Sequence, residues 1–183
     1  MTTAAKTATS TWTIDPTHSI AEFAVKHLVV TTVKGRFRDL EGTIHIDEAQ
    51  PENSSVEAAI QVASIDTNVP DRDAHLRSDD FFNAEKYPRI TFVSTNLQRV
   101  SDTNYKLDGV LTIREVSKPV VLDTEFEGEI DDPWGNRRSA FTATTQISRK
   151  EFGVKWNQAL EAGGMVVSDN VKITLHIEAI QQK

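Results

Sequence analysis

The run PVVLDTEFEGEI, residues 119–130, constrains the fold more than any other stretch of the chain. Val120, Leu122, Thr124, Phe126 and Ile130 fall on alternate positions, with Asp123, Glu125, Glu127 and Glu129 on the others. Side chains of a strand alternate between its two faces, so the pattern describes a strand with one buried and one wet face. The C-terminal segment repeats it, with Val171, Ile173, Leu175, Ile177 and Ala179 set against Lys172, Thr174, His176 and Glu178. Similar segments run over 11–15, 20–27, 33–38, 41–47, 55–65, 89–99, 104–114 and 138–147. The turn-prone strings DEAQPENS, SDTN and DDPWGN separate several of them. The total is about ten strand candidates, which mergers of neighbours reduce to roughly eight. Antiparallel strands joined this way end in two packed sheets or a closed barrel.

With 183 residues, the chain reads as a tail over residues 1–10, taken as disordered because it lacks periodicity, followed by one domain over residues 11–183. Its net charge of −7 argues against a nucleic-acid partner, since affinity for phosphate backbones comes from clustered Lys and Arg. The absence of Cys excludes disulfides, thiolate metal sites and thiol nucleophiles. No stretch approaches the roughly 18 apolar residues of a membrane span. The start, MTTAAKTATS, lacks the apolar run of a signal peptide, so a soluble cytoplasmic protein is expected. A chain already trimmed of its leader would read the same way and be periplasmic.

Two segments break the alternation. In NVPDRDAHLRSD a short helix is expected, capped by Asn68, with Pro70 and Asp71 in its first turn and Asp73 at pairing distance from Arg77. In SRKEFGVKWNQALEAGG the spacing is mixed, and Gly163–Gly164 either stops a helical turn or forms a loop. The first segment invites a catalytic reading, because Arg72, Asp73 and His75 combine an acid, a base and a cation. On a helix, however, Asp73 and His75 point about 200° apart, so no local dyad forms. The nucleophile elbow, P-loop, dinucleotide and H-E-x-x-H signatures are all missing. The five His residues are scattered, and no metal site is expected.

Four strings, WTIDPTHSIAEFAVKHLVVTTVKGRF, SIDTNVPDRDAHLRSDDFFNAEKYPRITFVST, YKLDGVLTIREVSKPVVL and ISRKEFGVKWN, together resemble the YceI-like family of polyisoprenoid-binding proteins. The resemblance extends from about Trp12 to Ile180. It implies an all-β fold, an extended antiparallel lipocalin-like β-barrel with one or two short helices. One departure is Glu115, where the family usually has Gly, which suggests a differently shaped turn. Many members of the family are exported and some pair as dimers, so the resemblance leaves a homodimer open.

The resemblance further implies a noncatalytic protein that sequesters or carries a polyisoprenoid or isoprenoid quinone, with no cofactor besides that lipid. Alternation places Phe23, Val25, Phe37, Phe92, Leu111, Phe141 and Ile173 on the inward face along the ligand chain, with Phe81 and Phe82 near the mouth. The matched polar positions His18, Ser19, His27, Arg72, Asp73 and His75 are the expected contacts of the ligand head group. Two other functions compete: an enzyme acting on an isoprenoid diphosphate, and a stress-linked protein-interaction module.

Overall fold

The computed structural model describes residues 9–183. Eleven strands are present among them: β1 (Thr9–Ile14), β2 (Ile20–His27), β3 (Thr31–Phe37), β4 (Leu40–Asp47), β5 (Ser55–Gln61), β6 (Ile65–Asp66), β7 (Arg89–Arg99), β8 (Asn104–Ile113), β9 (Val116–Asp131), β10 (Arg137–Ser148) and β11 (Val167–Gln181). One α-helix, α1 (Pro70–Arg77), lies between β6 and β7. The disorder expected for residues 1–8 lies outside the described residues. Thr9 and Ser10, assigned to the same tail, instead pair with Asp47 and Ile46, so the domain starts two residues earlier than expected.

All pairings are antiparallel, and β1 closes the sheet by bonding β4 on one side and the end of β11 on the other. The closed ring runs β1-β4-β5-β7-β8-β9-β10-β11. The other three strands prolong members of that ring. β2 succeeds β1 alongside β11, β3 pairs with β2, and β6 pairs with β3. The barrel therefore has eight staves, three of them bent, and the adjacent mergers anticipated from the sequence are these bends.

Each bend has a local cause. Between β1 and β2, Pro16 interrupts the ladder and the Asp15 carboxylate accepts the Thr17 N–H at 2.9 Å. Between β3 and β4, the Ser64 hydroxyl accepts the N–H groups of Arg38 and Asp39. Between β5 and β6, Val62–Ser64 winds into a 3-10 turn, which splits the strand expected over 55–65.

The interior holds three apolar clusters. Phe37, Val62, Ile65, Phe81, Phe152 and Val154 pack beneath α1. Trp12, Ile14, Leu40, Ile44 and Ala179 pack at the β1–β4 seam. Leu107, Leu122 and Ala143 form the third, on the β8–β10 wall.

The helix departs from expectation in its polar contacts. Its N-cap is Val69, not Asn68; Asn68 sits in the left-handed region (φ 61°) and donates its N–H to Asp66. Asp73 and Arg77 do not pair. The Asp73 carboxylate turns back to Thr67, and Arg77 donates to the carbonyls of Ala63 and Ile65. Residues 149–166 form no second α-helix, only a 3-10 turn at Lys150–Phe152 and a small hairpin bridged by Ala159 and Met165. At the β8–β9 turn Arg114 takes φ 57° and Glu115 does not take positive φ, so this turn needs no glycine at 115.

Candidate ligand cavity and the polar groups around it

A cavity of about 450 Å³ runs through the barrel. Its wall is almost wholly apolar because the alternation of each stave delivers one face to it. All nine residues assigned to the ligand chain lie on this wall: Phe23, Val25, Phe37, Phe81, Phe82, Phe92, Leu111, Phe141 and Ile173. Two aromatic rings are accommodated by glycines. A Cβ on Gly35 would lie 2.3 Å from Phe23 Cζ, and one on Gly109 equally close to Phe92 Cζ, so only glycine permits these ring positions.

One position from the sequence pattern is reversed. Val120, Leu122, Thr124 and Phe126 face the cavity, but Ile130 is 70 % exposed and Glu129 reaches the cavity wall instead. The register between β9 and β10 shifts between Phe141↔Phe126 and Ala140↔Gly128. The extra residue of that bulge exchanges the two faces of the strand beyond it.

None of the six expected head-group residues lies on the cavity wall. The polar side-chain atoms of all but His27 are engaged by nearby chain. Arg72 donates to the Thr67 hydroxyl (2.7 Å) and carbonyl (2.9 Å), and Asp73 accepts the Thr67 N–H and O–H. Together they fasten Thr67 to the start of α1. The His75 ring bonds Asp80 at 2.8 Å and packs edge-on against Phe81 and Trp156. Ser19 bonds the backbone of Glu178 through both its roles. His27 ends β2, opposite Val167 and Thr31. Arg72, Asp73 and His75 thus share no reacting centre.

His18 belongs to a charged cluster at the opposite end of the barrel from α1. Its Nδ1 lies 2.9 Å from Asp15, and Glu178 completes a group with the spacing of metal ligands. The Arg138 guanidinium already bridges this group, bonding Asp15, Glu178 and Asp132. Burial alone would raise the Asp15 carboxyl, but hydrogen bonds from Thr17, His18 and Arg138 hold it well below the usual carboxylate range. The cation of this cluster is the arginine, which bonds all three of its carboxylates.

Glu22, Thr91, Thr124 and Thr145 join the wall along the staves, and the other polar groups that reach the cavity sit at its two ends. At one end are Asp47, Glu48, Ser54, Ser55, Tyr105 and Glu129. At the other is Arg149, 5 % exposed, whose guanidinium donates to the carbonyls of Val154, Trp156, Val167 and Ser168. Burial pushes its pKa down, and Asp169 nearby offsets this in part. Arg149 lies in ISRKEFGVKWN but sequence reasoning did not assign it a role. A lone Arg among polar neighbours gives no sign that it will be buried.

The family model for the YceI-like domain matches residues 12–179. The chain belongs to the YceI-like family. Protein YceI of Escherichia coli O157:H7 is 37 % identical over 166 residues, covering 91 % of this chain and 83 % of that one. A UPF0312 protein of Pectobacterium atrosepticum is 38 % identical over the same coverage. Among solved structures, the YCEI protein of Campylobacter jejuni superposes with a TM-score of 0.74 at 33 % identity, covering 86 % of this chain and 90 % of that one. BcnA of Burkholderia cenocepacia superposes with a TM-score of 0.79 at 23 % identity, over 90 % and 98 % of the two chains. A domain from Saccharophagus degradans, at 17 % identity and a TM-score of 0.68 over 97 % and 100 % of the two chains, shares the fold. The family and the lipocalin-like barrel expected from the four sequence strings are both present. Among the described residues no helix is long and apolar enough to cross a membrane.

Proposed function

We propose that the protein binds a long-chain amphiphilic lipid, a polyisoprenoid or isoprenoid quinone, inside the barrel, and sequesters or carries it without catalysis. The observation that carries this reading is the apolar cavity of about 450 Å³, within the range of small-molecule sites. The Saccharophagus degradans neighbour is described as a polyisoprenoid binding domain, which is consistent with the same use of the same interior. Binding comes from removing apolar chain from water, at about 25 cal/mol per Å² before the costs of ordering and association.

The polar end of the ligand meets Ser54, Ser55 and Tyr105 beside the carboxylates of Asp47, Glu48 and Glu129. A diphosphate would meet like charge there, so an uncharged quinone or alcohol head suits this end better. No cofactor besides the lipid is invoked. Native mass spectrometry of freshly purified protein, followed by solvent extraction, tests the reading. A stoichiometric prenyl lipid is expected. Protein that is empty, and stays empty when offered prenyl alcohols, prenyl phosphates and quinones, overturns it.

A further inference from the structure

The β2–β3 turn places three apolar residues in water. Leu28, Val29 and Val30 are 42 %, 66 % and 78 % exposed. Leu28 and Val29 also take positive φ, 51° and 67°, a region that side chains, and β-branched ones above all, disfavour. A turn of this kind ordinarily uses Gly, Asn or Asp. Here the sequence departs from the local rule in both solubility and backbone strain, as functional positions do.

The neighbouring hairpin enlarges the patch. Leu28 donates its N–H to Val166 at 2.9 Å, Val29 Cγ2 approaches Gly164, and Met165 is 47 % exposed. Glu161 is the acidic residue of that hairpin. Behind the turn, the outer face of the sheet carries Lys172, Ala24 and Lys34 side by side on β11, β2 and β3, with Lys26 two positions nearer the tip. Among the described residues only Lys106 is a lysine held by a carboxylate, so these three charges are uncommitted. The far end of the barrel is acidic, with exposed Glu48, Glu52, Asp102 and Asp131 on or beside its connections. A chain of net charge −7 is thereby polarised, cationic at the apolar tip.

We propose that the 28–30 turn, together with the 159–165 hairpin, docks onto the surface of an anionic lipid bilayer, the apolar residues entering the interface and Lys26, Lys34 and Lys172 facing the lipid charges. The geometry disfavours a second copy of the chain. A convex three-residue tip cannot supply the roughly 800 Å² per partner of a stable interface, and two lysine faces would repel. Docking also brings Val25 and Val167, which line the cavity and flank the tip, next to the membrane. The partner proposed here goes beyond the ligand reading and does not depend on it.

Co-sedimentation with vesicles tests this. The full chain should bind vesicles containing phosphatidylglycerol, bind pure phosphatidylcholine vesicles poorly, and release in high salt. Replacing Val29→Asn and Val30→Ser together should weaken binding by about tenfold or more. Because Asn tolerates positive φ, the same variant should keep or raise the melting temperature, which separates lost docking from lost folding. Lys34→Ala and Lys172→Ala should each cost about fivefold. Wild-type protein that ignores phosphatidylglycerol vesicles overturns the proposal, and so does a tip variant that binds as well as wild type. A dimer abolished by the tip variant, with no vesicle binding, would assign the tip to self-association instead. Vesicle binding by a protein that takes up no prenyl lipid would overturn the ligand reading and leave docking standing.

Discussion

Ala143→Phe distinguishes a ligand cavity from a filled core. Ala143 lies opposite Leu175 and Thr124 on β10 and faces the cavity from a wall that it shares with Leu107 and Leu122. An apolar cavity of about 150 Å³ already accepts benzene, so a phenyl ring has room in one of about 450 Å³. Burying that ring gains about 1.5–3 kcal/mol, offset by rotamer entropy and local adjustment, and the net change in stability should stay within about 1 kcal/mol. The matched control is Ala179→Phe. Ala179 is fully buried against Trp12 and is not on the cavity wall, so the ring must be forced into packed space at about 1–3 kcal/mol or more. For the ligand the order reverses. The ring at 143 displaces about six ligand carbons, each worth about 0.8 kcal/mol, which amounts to on the order of a thousandfold in affinity. Urea unfolding gives the first comparison and titration with a fluorescent prenyl analogue the second. If Ala143→Phe is as destabilising as Ala179→Phe, the interior is packed core; if its ligand affinity is unchanged, the ligand lies elsewhere.

Asp73→Ala should cost about 1–3 kcal/mol by leaving the buried Thr67 N–H without an acceptor, while ligand affinity of the folded fraction stays at the wild-type level. A large affinity loss without destabilisation would return Asp73 to the head-group role. Arg149→Met should lower stability by about 3 kcal/mol or more, because four carbonyls, including the buried Val154 oxygen, lose their donor together; a loss below about 1 kcal/mol in urea unfolding would show that water replaces it. The carboxyls of Asp15, Asp66, Asp132 and Asp169 are all depressed in the folded state. They bind protons more weakly folded than unfolded, so their contribution is complete above about pH 5 and is lost as the pH falls through about 4 and below. Urea midpoints should therefore fall steeply in acid, and less steeply once Arg138→Met removes the partner of Asp15 and Asp132; equal slopes would contradict this cluster's part in acid stability. Ser139→Ala should be neutral or stabilising by thermal unfolding, since the buried Ser139 hydroxyl has no hydrogen-bond partner among the described residues; a clear loss would indicate a partner such as bound water.

The cavity wall was legible in the sequence because alternation is a local property. Once Phe23, Phe92 or Ile173 lies in a strand with polar neighbours, its face follows from period two, and all seven residues assigned by alternation reach the cavity. The helix at Pro70–Arg77 was legible for a similarly local reason, its proline at the first turn. The reversal at Ile130 had a visible sign in Gly128, an isolated glycine inside a strand pattern, but whether such a glycine bulges depends on the partner strand.

The polar groups required the tertiary structure. His18, Ser19, His27, Arg72, Asp73 and His75 read as a set because they are the polar members of matching strings, yet the fold puts none of them on the cavity wall and gives the side chains of all but His27 other partners. Asp73 is taken by a backbone group six residues away, Ser19 by one 159 residues away. Burial of Arg149 likewise follows from carbonyls brought in by both ends of the 154–168 segment. Barrel closure rests on β1 meeting β11, at opposite ends of the chain. A sequence pattern determines which face each side chain takes, because that depends on the residue's own backbone. Which donor finds which acceptor depends on chain segments far apart in sequence, and only the closed barrel sets that distance.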